Sequence, residues 1–362
     1  MSGETILVAA GGTGGHLFPA EALAHALIAR GYVVDLATDT RAEKYGQAFP
    51  ARNIYAIPAA TPTGGGAASK AKAIATLGRG VLSCLPLLRR LKPAVVVGFG
   101  GYPTVPPLVA ASLLNIPSVL HEQNAVMGRA NKFLAGRVQK IATGFPLTRA
   151  DSAILAKCTV TGNPLRPAVL EAAKQPYPSF EGDVLNVLVT GGSQGAKVFS
   201  DIVPAAIEAL TPEERAHIRL VQQARGEDRE RVLAVYKRIG FSAEVEPFFK
   251  DLPARIGAAH LLIARSGAST VAEVAAIGRP AILVPFPFAL DADQAANAAE
   301  LARTGAVDVI DQKVFTVEKL TELLRSALAD PQNLTKRAEA AKSAGILDAA
   351  GRLADIVAGL VR

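Results

Sequence analysis

The sequence predicts an α/β fold made of two similar halves. Short runs rich in valine, isoleucine and leucine alternate with segments whose apolar residues recur at helical spacing. The opening pattern of apolar strand, glycine-rich loop and amphipathic helix starts again about halfway along the 362 residues. A chain of this length is expected to form two domains. Such alternation favours parallel sheets with helices on both faces.

The first half contains five strand-like runs, TILVAA, VVDLAT, AVVVGFG, SVLHEQ and KIATGF. The helical run PAEALAHALIARG follows the first of them and ends at a glycine, a common helix-stop signal. The stretch from Pro93 to Leu120 has no charged residue, but prolines and glycines interrupt it. A membrane span needs ~20 residues of helical pattern. We therefore predict a strand over Ala94–Gly98, a loop, a helix from Pro106 and another strand, with no transmembrane helix.

The second half begins with NVLVTGGSQGAKVFSDIVPAAIEAL, in which Gly191 stands 180 residues after Gly11. A proline-bearing linker over Gly162–Asp183 precedes it. These features predict two Rossmann-like domains, 1–164 and 165–343. A deep cleft is expected between them, where ligands of open α/β sheets bind. The helical pattern over 344–362 is too short for a domain and is expected to pack across the N-terminal one.

Charge and cysteine content limit the environment and the partners. Cys84 and Cys158 lie far apart and predict free thiols in a reducing compartment. The N-terminus lacks the pattern of a signal peptide. Residues 1–165 carry a net charge of +9 and the remainder −2, with no acid between Lys44 and His121. A basic half indicates nucleic acid, an acidic lipid surface or a phosphorylated substrate as partner, or simply a solvated basic face.

Two glycine loops stand where a strand passes into a helix, Gly11–His16 and Thr190–Ala196. A helix N-terminus offers unpaired N–H groups and partial positive charge, and glycine lets an anion approach the backbone. Neither loop is a P-loop, and Leu17 stands where a dinucleotide fingerprint requires glycine. The loops therefore predict phosphate binding, or else tight turns alone. A third loop, Gly98–Pro103, is predicted to bind an acceptor.

A polar cluster follows two strands of the second half. Arg265 comes directly after LLIA, and Glu273 lies on the next helix. A carboxylate there can favour the helix dipole or accept hydrogen bonds from a ribose diol. After the strand AILVPF come Asp291, Asp293 and Gln294. All of these groups are expected at the carboxyl ends of strands, where a ligand binds.

Six motifs occur in order: GGTGGHLFPA, GFGGYPTVPPLVAA, HEQNAVMGRANK, TGNPLR, TGGSQGA and RSGASTVAEVAAIGRPAILVPFP. Together, from about Ile6 to Ala306, they closely resemble the MurG family of UDP-N-acetylglucosamine:undecaprenyl-diphospho-muramoyl-pentapeptide N-acetylglucosaminyltransferases. The resemblance implies the GT-B fold and an inverting enzyme that moves GlcNAc from UDP-GlcNAc to the 4-hydroxyl of the muramoyl sugar of lipid I. The product is lipid II for peptidoglycan, and hence for cell shape and division. No metal and no cofactor are implied, because helix N-termini replace a cation at the diphosphate.

The resemblance also implies catalytic residues. Inversion needs a base that takes the proton of the attacking hydroxyl, and His16 is the first candidate because an imidazole exchanges protons at neutral pH. His16 can alternatively position the acceptor or bond a loop. Glu122 is the competing base, or it supports its loop or the acceptor.

Contacts to the two substrates follow from the same resemblance in the first half. The first glycine loop would line the acceptor side of the cleft and touch the donor sugar through Thr13, Gly14, Gly15 and His16. Asn124 would contact the GlcNAc, and Arg166 would approach the diphosphate from the hinge.

In the second half the resemblance implies a UDP-GlcNAc site. Ser193, with the backbone of Gly192 and Gln194, would bind phosphate, and Phe249 lies where the family's backbone clamps the uracil. The nucleotide would be held by Arg265, Gly267, Ala268, Ser269, Thr270 and Glu273, with Glu273 on the ribose hydroxyls. Asp291 and Gln294 would bind sugar hydroxyls.

One segment departs from the family pattern. The family commonly has two consecutive glutamines after Asp-Arg, whereas this chain reads Asp291-Ala292-Asp293-Gln294. One glutamine remains, and an acid takes the place of its neighbour.

A lipid-linked acceptor requires contact with the bilayer. The stretch Ser69–Pro93 mixes leucine, isoleucine and valine with six basic residues. It predicts an interfacial helix that binds anionic lipid, or a core-facing helix with a solvated basic side. We expect a peripheral protein at the cytoplasmic face of the bacterial inner membrane. UDP-GlcNAc and lipid I are its expected partners, together with a cell-wall synthesis complex and no nucleic acid.

Three other functions remain open from the residues. The first is a different GT-B enzyme acting on UDP-GlcNAc, such as a 2-epimerase or a glycolipid sugar transferase. The second is an NAD(P)-dependent dehydrogenase, because Asp35 follows the first glycine loop at about the right distance. The third is a non-catalytic nucleotide-sugar-binding subunit of a membrane complex.

Overall fold

The chain divides into two compact units, which we describe separately. A computed structural model describes residues 3–11, 14–39, 49–62, 66–193, 195–287 and 293–361. The first unit comprises Met1–Arg166 with Leu347–Arg362, and the second comprises Pro167–Ile346. The sequence places these divisions after Pro164 and before Ala344, a few residues earlier.

Seven parallel strands form the sheet of the first unit. They are β1 (Thr5–Ala9), β2 (Val33–Thr38), β3 (Ile54–Ala56), β4 (Val95–Gly98), β5 (Ser118–Glu122), β6 (Lys140–Thr143) and β7 (Cys158–Val160). Their spatial order is β3-β2-β1-β4-β5-β6-β7. Among the described residues, the α-helices between these strands are α1 (Gly14–Ala29), α2 (Ala67–Leu91), α3 (Val105–Leu113), α4 (Arg129–Ala135) and α5 (Ser152–Leu155).

The second unit contains a six-stranded parallel sheet. The α-helices of this unit, among the described residues, are α6 (Pro167–Ala173), α7 (Lys197–Glu208), α8 (Pro212–Ala216), α9 (Gly226–Arg238), α10 (Leu252–Ala258), α11 (Ala268–Ile277), α12 (Asp293–Arg303), α13 (Val317–Ala329) and α14 (Pro331–Ser343). Its strands are β8 (Leu185–Thr190), β9 (Ile218–Gln223), β10 (Ala243–Glu246), β11 (Leu261–Ala264), β12 (Ala281–Leu283) and β13 (Val307–Val309). The spatial order is β10-β9-β8-β11-β12-β13.

Both sheets have the Rossmann strand order. In each, the first strand along the chain lies centrally, the next two extend to one side and the fourth onward to the other. The strand order therefore reverses at the first strand, and the glycine loops leave the two sheets at that point. The α/β prediction with two Rossmann-like domains is confirmed.

The apolar composition of the strands explains their burial. Ile6, Val8, Val95 and Val97 in the first sheet are fully buried, as expected where helices cover both faces. Because all strand pairs are parallel, their carboxyl ends share one edge: Ala9 pairs with Gly98, and Gly98 with Leu120. In the second sheet Ala264 pairs with Thr190 in the same way.

The chain returns to the first unit at its C-terminal end. Helix α15 (Ala349–Ala358) packs against α1, and its Leu353, Ala354 and Val357 join the core of the first sheet. Arg30 reinforces this contact, because its guanidinium donates a 3.0 Å hydrogen bond to the carbonyl of Gly351 and pairs with Asp355 at 2.8 Å. The last helix is thus part of the unit with which the chain begins.

The uncharged stretch from Pro93 to Leu120 folds as β4, α3 and most of β5, as the sequence predicts. Among the described residues, α2 alone has the length and apolar composition that would let a helix cross a membrane. Its Ala73, Gly80, Cys84, Leu87 and Leu88 are buried in the unit, however, and it packs on α3. Helix α2 therefore uses one face for packing within the protein.

Candidate functional site

The first glycine loop brings His16 against the third loop, after β4. His16 lies in the first turn of α1, half-buried. A Cβ on Gly100 would lie 3.4 Å from the imidazole Cδ2, and one on Gly101 would lie 3.6 Å from Nδ1. Both glycines have positive φ, +84° and +72°, a conformation in which side chains are strained. The imidazole thus packs on a backbone turn that requires glycine.

Gly14 and Gly15 precede His16 in α1, whereas Thr13 lies outside the described residues.

Glu122 ends β5 and holds the loop that follows it. Its side chain is buried. One carboxylate oxygen accepts hydrogen bonds from the backbone N–H and the side-chain amide of Asn124, at 2.9 and 3.3 Å. The other accepts from the N–H of Gly128 at 2.9 Å and from Nδ2 of Asn131 at 2.8 Å. Burial raises the pKa of Glu122, and these four bonds oppose that shift.

This arrangement bears on the two interpretations of Glu122. A general base needs a lone pair directed at the acceptor hydroxyl, and both oxygens of Glu122 already receive two donors each. The geometry therefore favours Glu122 as the support of its loop and disfavours it as the base. Asn124, which Glu122 holds, is half-buried at the carboxyl edge of the sheet.

Two further amides join the loops around His16. Nε2 of Gln123 donates to the carbonyl of Phe99 at 2.9 Å, which fixes the third glycine loop to the end of β5. The side-chain amide of Asn131 lies beside Gly100, where a Cβ would come within 3.2 Å of its Nδ2. These buried amides are functional candidates that the sequence interpretation missed, although both belong to the quoted motif HEQNAVMGRANK.

His121 is the buried histidine of this unit. Its Nε2 lies 3.2 Å from the carbonyl of Gly162, and its Nδ1 lies 3.1 Å from the side-chain nitrogen of Gln123. Burial lowers the pKa of His121 to about 4, so the ring is neutral at physiological pH. These bonds and its burial make His121 a structural residue.

Arg166 lies at the end of the first unit. Its guanidinium lies 4.1 Å from the ring centroid of Phe18 on α1, a cation–π distance. Glu21 on the same helix has a raised pKa, mainly through burial, while His25 and Arg166 partly offset the shift. Arg166 is therefore beside α1, the helix that carries His16.

In the second unit, the glycine loop after β8 depends on close backbone packing. A Cβ on Gly191 would lie 2.2 Å from the amide nitrogen of Ala196. Gly192 and Gly195 have φ of +79° and +67°. Ser193 is exposed on this loop, and Gln194 lies outside the described residues. The loop leads into the N-terminus of α7.

Gln223, at the end of β9, ties this loop to its neighbour. Its Oε1 accepts from Oγ1 of Thr190 at 3.0 Å and from the N–H of Gly191 at 2.9 Å. Its Nε2 donates to the carbonyls of Gly192 at 3.0 Å and Pro247 at 3.1 Å. One buried amide thus fixes two segments of the predicted nucleotide site. The residues around Gln223 in the sequence form no motif that indicates this role.

Phe249 lies two residues after Pro247. Its side chain is buried, with the guanidinium of Arg255 lying 4.5 Å from its ring centroid. A buried ring leaves the backbone of this segment as the part that can meet a base, which is the role that the resemblance implies.

Arg265 follows β11 and bonds uncharged groups. Its guanidinium donates to the carbonyls of Val284 and Pro285 at 3.0 and 3.1 Å, and to Oε1 of Gln312 at 2.6 Å. Burial, and secondarily the charge of Arg225, lowers the pKa of Arg265 to about 10, so it remains a cation at neutral pH. Arg265 therefore orients the segment after β12 while keeping its charge at the edge of the sheet.

Helix α11 begins directly after Arg265. Gly267 is its N-cap in an extended conformation, with no side-chain cap bond, and the first turn contains Ala268, Ser269 and Thr270. The N–H groups of such a first turn have no partner within the helix. Glu273 lies in the second turn and is buried. The structure thus brings Arg265 and Gly267–Glu273 together beside the loop after β8, because β11 pairs with β8.

Two sugar-binding candidates lie in the segment after β12. Oε1 of Gln294, in the first turn of α12, accepts a 2.9 Å hydrogen bond from the N–H of Phe286. Asp291 lies outside the described residues. Within the described ranges, no three His, Cys, Asp or Glu side chains are grouped so that they could hold a metal ion.

Comparisons with known proteins give one consistent result. A family model described as the glycosyltransferase family 28 N-terminal domain matches residues 6–143, and the model of the C-terminal domain of that family matches residues 186–353. A Rhizobium rhizogenes protein is 56% identical over 358 residues, which cover 99% of this chain and 96% of the relative. Its name is UDP-N-acetylglucosamine–N-acetylmuramyl-(pentapeptide) pyrophosphoryl-undecaprenol N-acetylglucosamine transferase.

Solved structures agree at the level of the whole fold. The crystal structure of Acinetobacter baumannii MurG superposes with a TM-score of 0.78 at 32% identity, over 98% of this chain and 99% of that one. A UDP-GlcNAc 2-epimerase from Neisseria meningitidis superposes with a TM-score of 0.71 over 98% of this chain and 100% of its own. Its identity is 13%, so that likeness shows the fold alone.

Proposed function

Because the chain belongs to the MurG family within glycosyltransferase family 28, we propose that it transfers GlcNAc from UDP-GlcNAc to the 4-hydroxyl of the muramoyl sugar of lipid I, giving lipid II. The observation that carries the proposal is the pair of glycine turns at the carboxyl edges of two Rossmann sheets. One turn carries His16, and the other leads into α7 beside Arg265.

The proposed reaction is a single displacement with inversion. The acceptor hydroxyl oxygen forms a bond to the anomeric carbon of GlcNAc while the bond from that carbon to the UDP oxygen breaks. The hydroxyl proton goes to the base, and the bonding electron pair leaves with UDP. The sugar passes through an oxocarbenium-like transition state, as in glycoside hydrolysis.

We assign the base to His16. Its imidazole packs on Gly100 and Gly101, so a fixed ring stands where a loop predicted to bind acceptor meets the first turn of α1. An imidazole can accept a proton at neutral pH. Glu122 and Asn131 support the surrounding loops in this assignment, and Asn124 contacts the sugar.

Negative charge on the departing UDP is balanced in the second unit. The amides at the start of α7 and α11 point their donors toward the edge of the sheet, and Arg265 adds a cation. Oriented donors of this kind stabilise developing charge without reorganisation, which is worth several kcal/mol, roughly 3 per donor. We propose that this charge balance replaces a divalent metal. The remaining contacts to UDP-GlcNAc are those expected of Phe249, Glu273 and Gln294.

A transfer assay tests the proposal directly. Purified protein is incubated with radiolabelled UDP-GlcNAc and a lipid I analogue, with EDTA in one arm and added magnesium in the other. We expect equal formation of labelled lipid II in both arms. No transfer to this acceptor, with turnover of UDP-GlcNAc in its absence, would instead indicate a 2-epimerase. Turnover that needs magnesium would contradict the metal-free part.

We further propose that α2 binds the cytoplasmic face of the inner membrane. Its outward side exposes Ile74 and Leu82, by 63% and 68%, two turns apart. Around them stand the exposed basic residues Lys70, Lys72, Arg79, Arg89 and Arg90. An exposed apolar pair among cations is the composition of an interfacial helix, and each cation near an anionic surface contributes about 1 kcal/mol.

Vesicle sedimentation tests this surface. We expect binding to vesicles with anionic lipid, weak binding to neutral ones, and loss of binding in Lys70→Gln/Lys72→Gln/Arg79→Gln. Ile74→Ser/Leu82→Ser is expected to weaken binding at every ionic strength. Val314→Ser, an equally exposed apolar residue of the second unit, is the control. Equal binding to both vesicle types would reject the electrostatic part.

A further inference from the structure

Arg225 is a charged residue beside the glycine loop after β8 to which neither the motifs nor the proposed reaction give a role. It follows β9 by two residues and forms the N-cap of α9. Its Cγ lies 3.0 Å from the position that a Cβ on Gly195 would occupy. Gly195 has a φ of +67°. The arginine stem therefore packs directly on the backbone of the loop.

The guanidinium of Arg225 has little to bind within the described part of the chain. Its Nε is buried and has no hydrogen-bond partner among the described residues. Its ion pair is with Glu227 at 3.7 Å, and the Glu227 side chain is 71% exposed. An ion pair of that kind contributes little, whereas a buried N–H donor without a partner costs free energy. The geometry thus leaves a donor that a ligand would satisfy.

Other arginines of the second unit show the contrast. Arg231 bonds the carboxylates of Asp201 and Asp228, both at 2.8 Å. Arg279 donates to five backbone carbonyls. Arg225 makes no comparable set of bonds among the described residues, so hydrogen bonding within the described part of the protein does not account for its guanidinium.

The charge of Arg225 adds to that of a second cation. It lowers the pKa of Arg265, after the larger effect of burial, which means that the two positive charges repel each other. The bonds described above join Arg265 to carbonyls and an amide, none of them negative. Two cations that repel each other at one edge of a sheet, next to the N-terminus of α7, favour a multiply charged anion.

We propose that Arg225 binds the diphosphate of the UDP donor and holds the UDP leaving group, as a second cation beside Arg265. This inference rests on the proposed function, because it takes its anion from the UDP-GlcNAc donor. An arginine offers several N–H donors in one plane, which suits phosphate oxygens. Arg225 therefore discriminates nucleotides by their phosphates and contributes nothing to recognition of the uracil or ribose.

Titration calorimetry with UDP, and ligand-observed NMR with uridine, tests this assignment. Arg225→Met keeps an apolar stem against Gly195 and removes the charge. We expect it to weaken UDP binding by roughly 10- to 100-fold, the range of a charge-assisted hydrogen bond, and to change uridine binding less than about 2-fold, since uridine lacks the phosphates. Arg225→Lys is expected to fall between. Lys237→Met, an exposed charge at the other end of α9, should leave both ligands unaffected.

Three results would overturn the inference. If UDP binds wild type and Arg225→Met equally, Arg225 is no diphosphate ligand, and the proposed transfer reaction stands. If the substitution weakens uridine binding as much as UDP binding, Arg225 has a structural role. Thermal unfolding of Arg225→Met and of a second variant, Arg225→Gln, checks that the variants remain folded. If wild type itself binds no UDP, the inference and the proposed function both fail.

Discussion

Nδ2 of Asn131 donates a 2.8 Å hydrogen bond to Glu122, and the same amide lies beside Gly100, which contacts the ring of His16. A residue far from the first glycine loop in sequence is thereby connected to the proposed base through two contacts. Buried amides of this kind position a site without touching the reacting atoms.

Asn131→Ala tests that role. The variant removes a bond to a charged group, worth about 1.5–3 kcal/mol, so the loops around His16 lose their support. We expect kcat with the lipid I analogue to fall by about 10-fold or more, since each 1.4 kcal/mol is tenfold, while UDP affinity stays unchanged. Steady-state kinetics and calorimetry measure the two effects.

The neighbouring Lys132→Ala is the matched control, because Lys132 is exposed on the same helix. Asn131→Asp would place a second carboxylate against Glu122, and like charges raise carboxyl pKa values. Its activity should therefore fall further as pH rises. Full activity in both Asn131 variants would contradict the positioning role.

His16→Ala is expected to lower kcat by about 100- to 10,000-fold, the range of a general base. UDP affinity should change less than about 2-fold, because the contacts proposed for the nucleotide are made by the second unit. His25→Ala, an exposed histidine of the same helix, serves as control. The pH profile separates the two interpretations: if His16 only positions the acceptor, the acidic limb of kcat/KM persists in His16→Ala.

Arg279→Met should destabilise the second unit. Arg279 is buried, and its guanidinium satisfies the carbonyls of Pro176, Ile256, Gly257, Ile277 and Gly278. Loss of these charge-assisted bonds is expected to cost about 3 kcal/mol or more. For a unit of this size the melting temperature should fall by roughly 6–12 °C. Calorimetric melting, with the exposed Arg303→Met as control, measures it; an unchanged midpoint would refute the assignment.

Stability should decrease below pH 6.5, in part because of His121. Its pKa in the folded state is lowered to about 4, so between pH 6.5 and 4 the unfolded chain binds a proton that the folded chain does not. Stability is therefore present above pH 6.5 and is lost as pH falls, by up to about 3 kcal/mol. Burial lowers the pKa of His260 too, with the same sign.

Urea unfolding of wild type and His121→Gln at pH 7.5, 5.5 and 4.5 measures the contribution of His121 to the pH dependence of stability. A glutamine amide can still donate to the carbonyl of Gly162, so the variant is expected to fold. Its stability should fall less steeply with pH than that of wild type. Equal pH dependence of the two proteins would show that His121 does not contribute.

The strands, the glycine turns and their repetition could be predicted from the sequence because they are local patterns. An apolar run that ends in glycine predicts the strand Val95–Gly98, and the spacing of apolar residues after a glycine predicts the helix Ala268–Ile277. The proline-bearing linker was predicted without its helix. It contains α6 because Pro167 fits the first turn of a helix and Val169, Ala172 and Ala173 are buried against the second unit.

Roles that depend on a distant partner were not predictable in the same way. Gln223 and Arg279 act through backbone carbonyls that the chain brings near only after folding. For Glu122 the sequence leaves three roles open, namely the competing base, a support of its loop and a support of the acceptor. The four hydrogen bonds that its carboxylate accepts favour the support of the loop.

The return of α15 to the first unit orders events during synthesis. Leu353 and Val357 contribute to a core whose members from the first unit's sheet leave the ribosome more than 200 residues earlier. A nascent chain arrested before Leu347 would leave an apolar patch on α1 uncovered for chaperones or proteases to find. The segment 1–166 expressed alone would expose the same patch. Fusing 347–361 to its C-terminus through a flexible linker is expected to cover it.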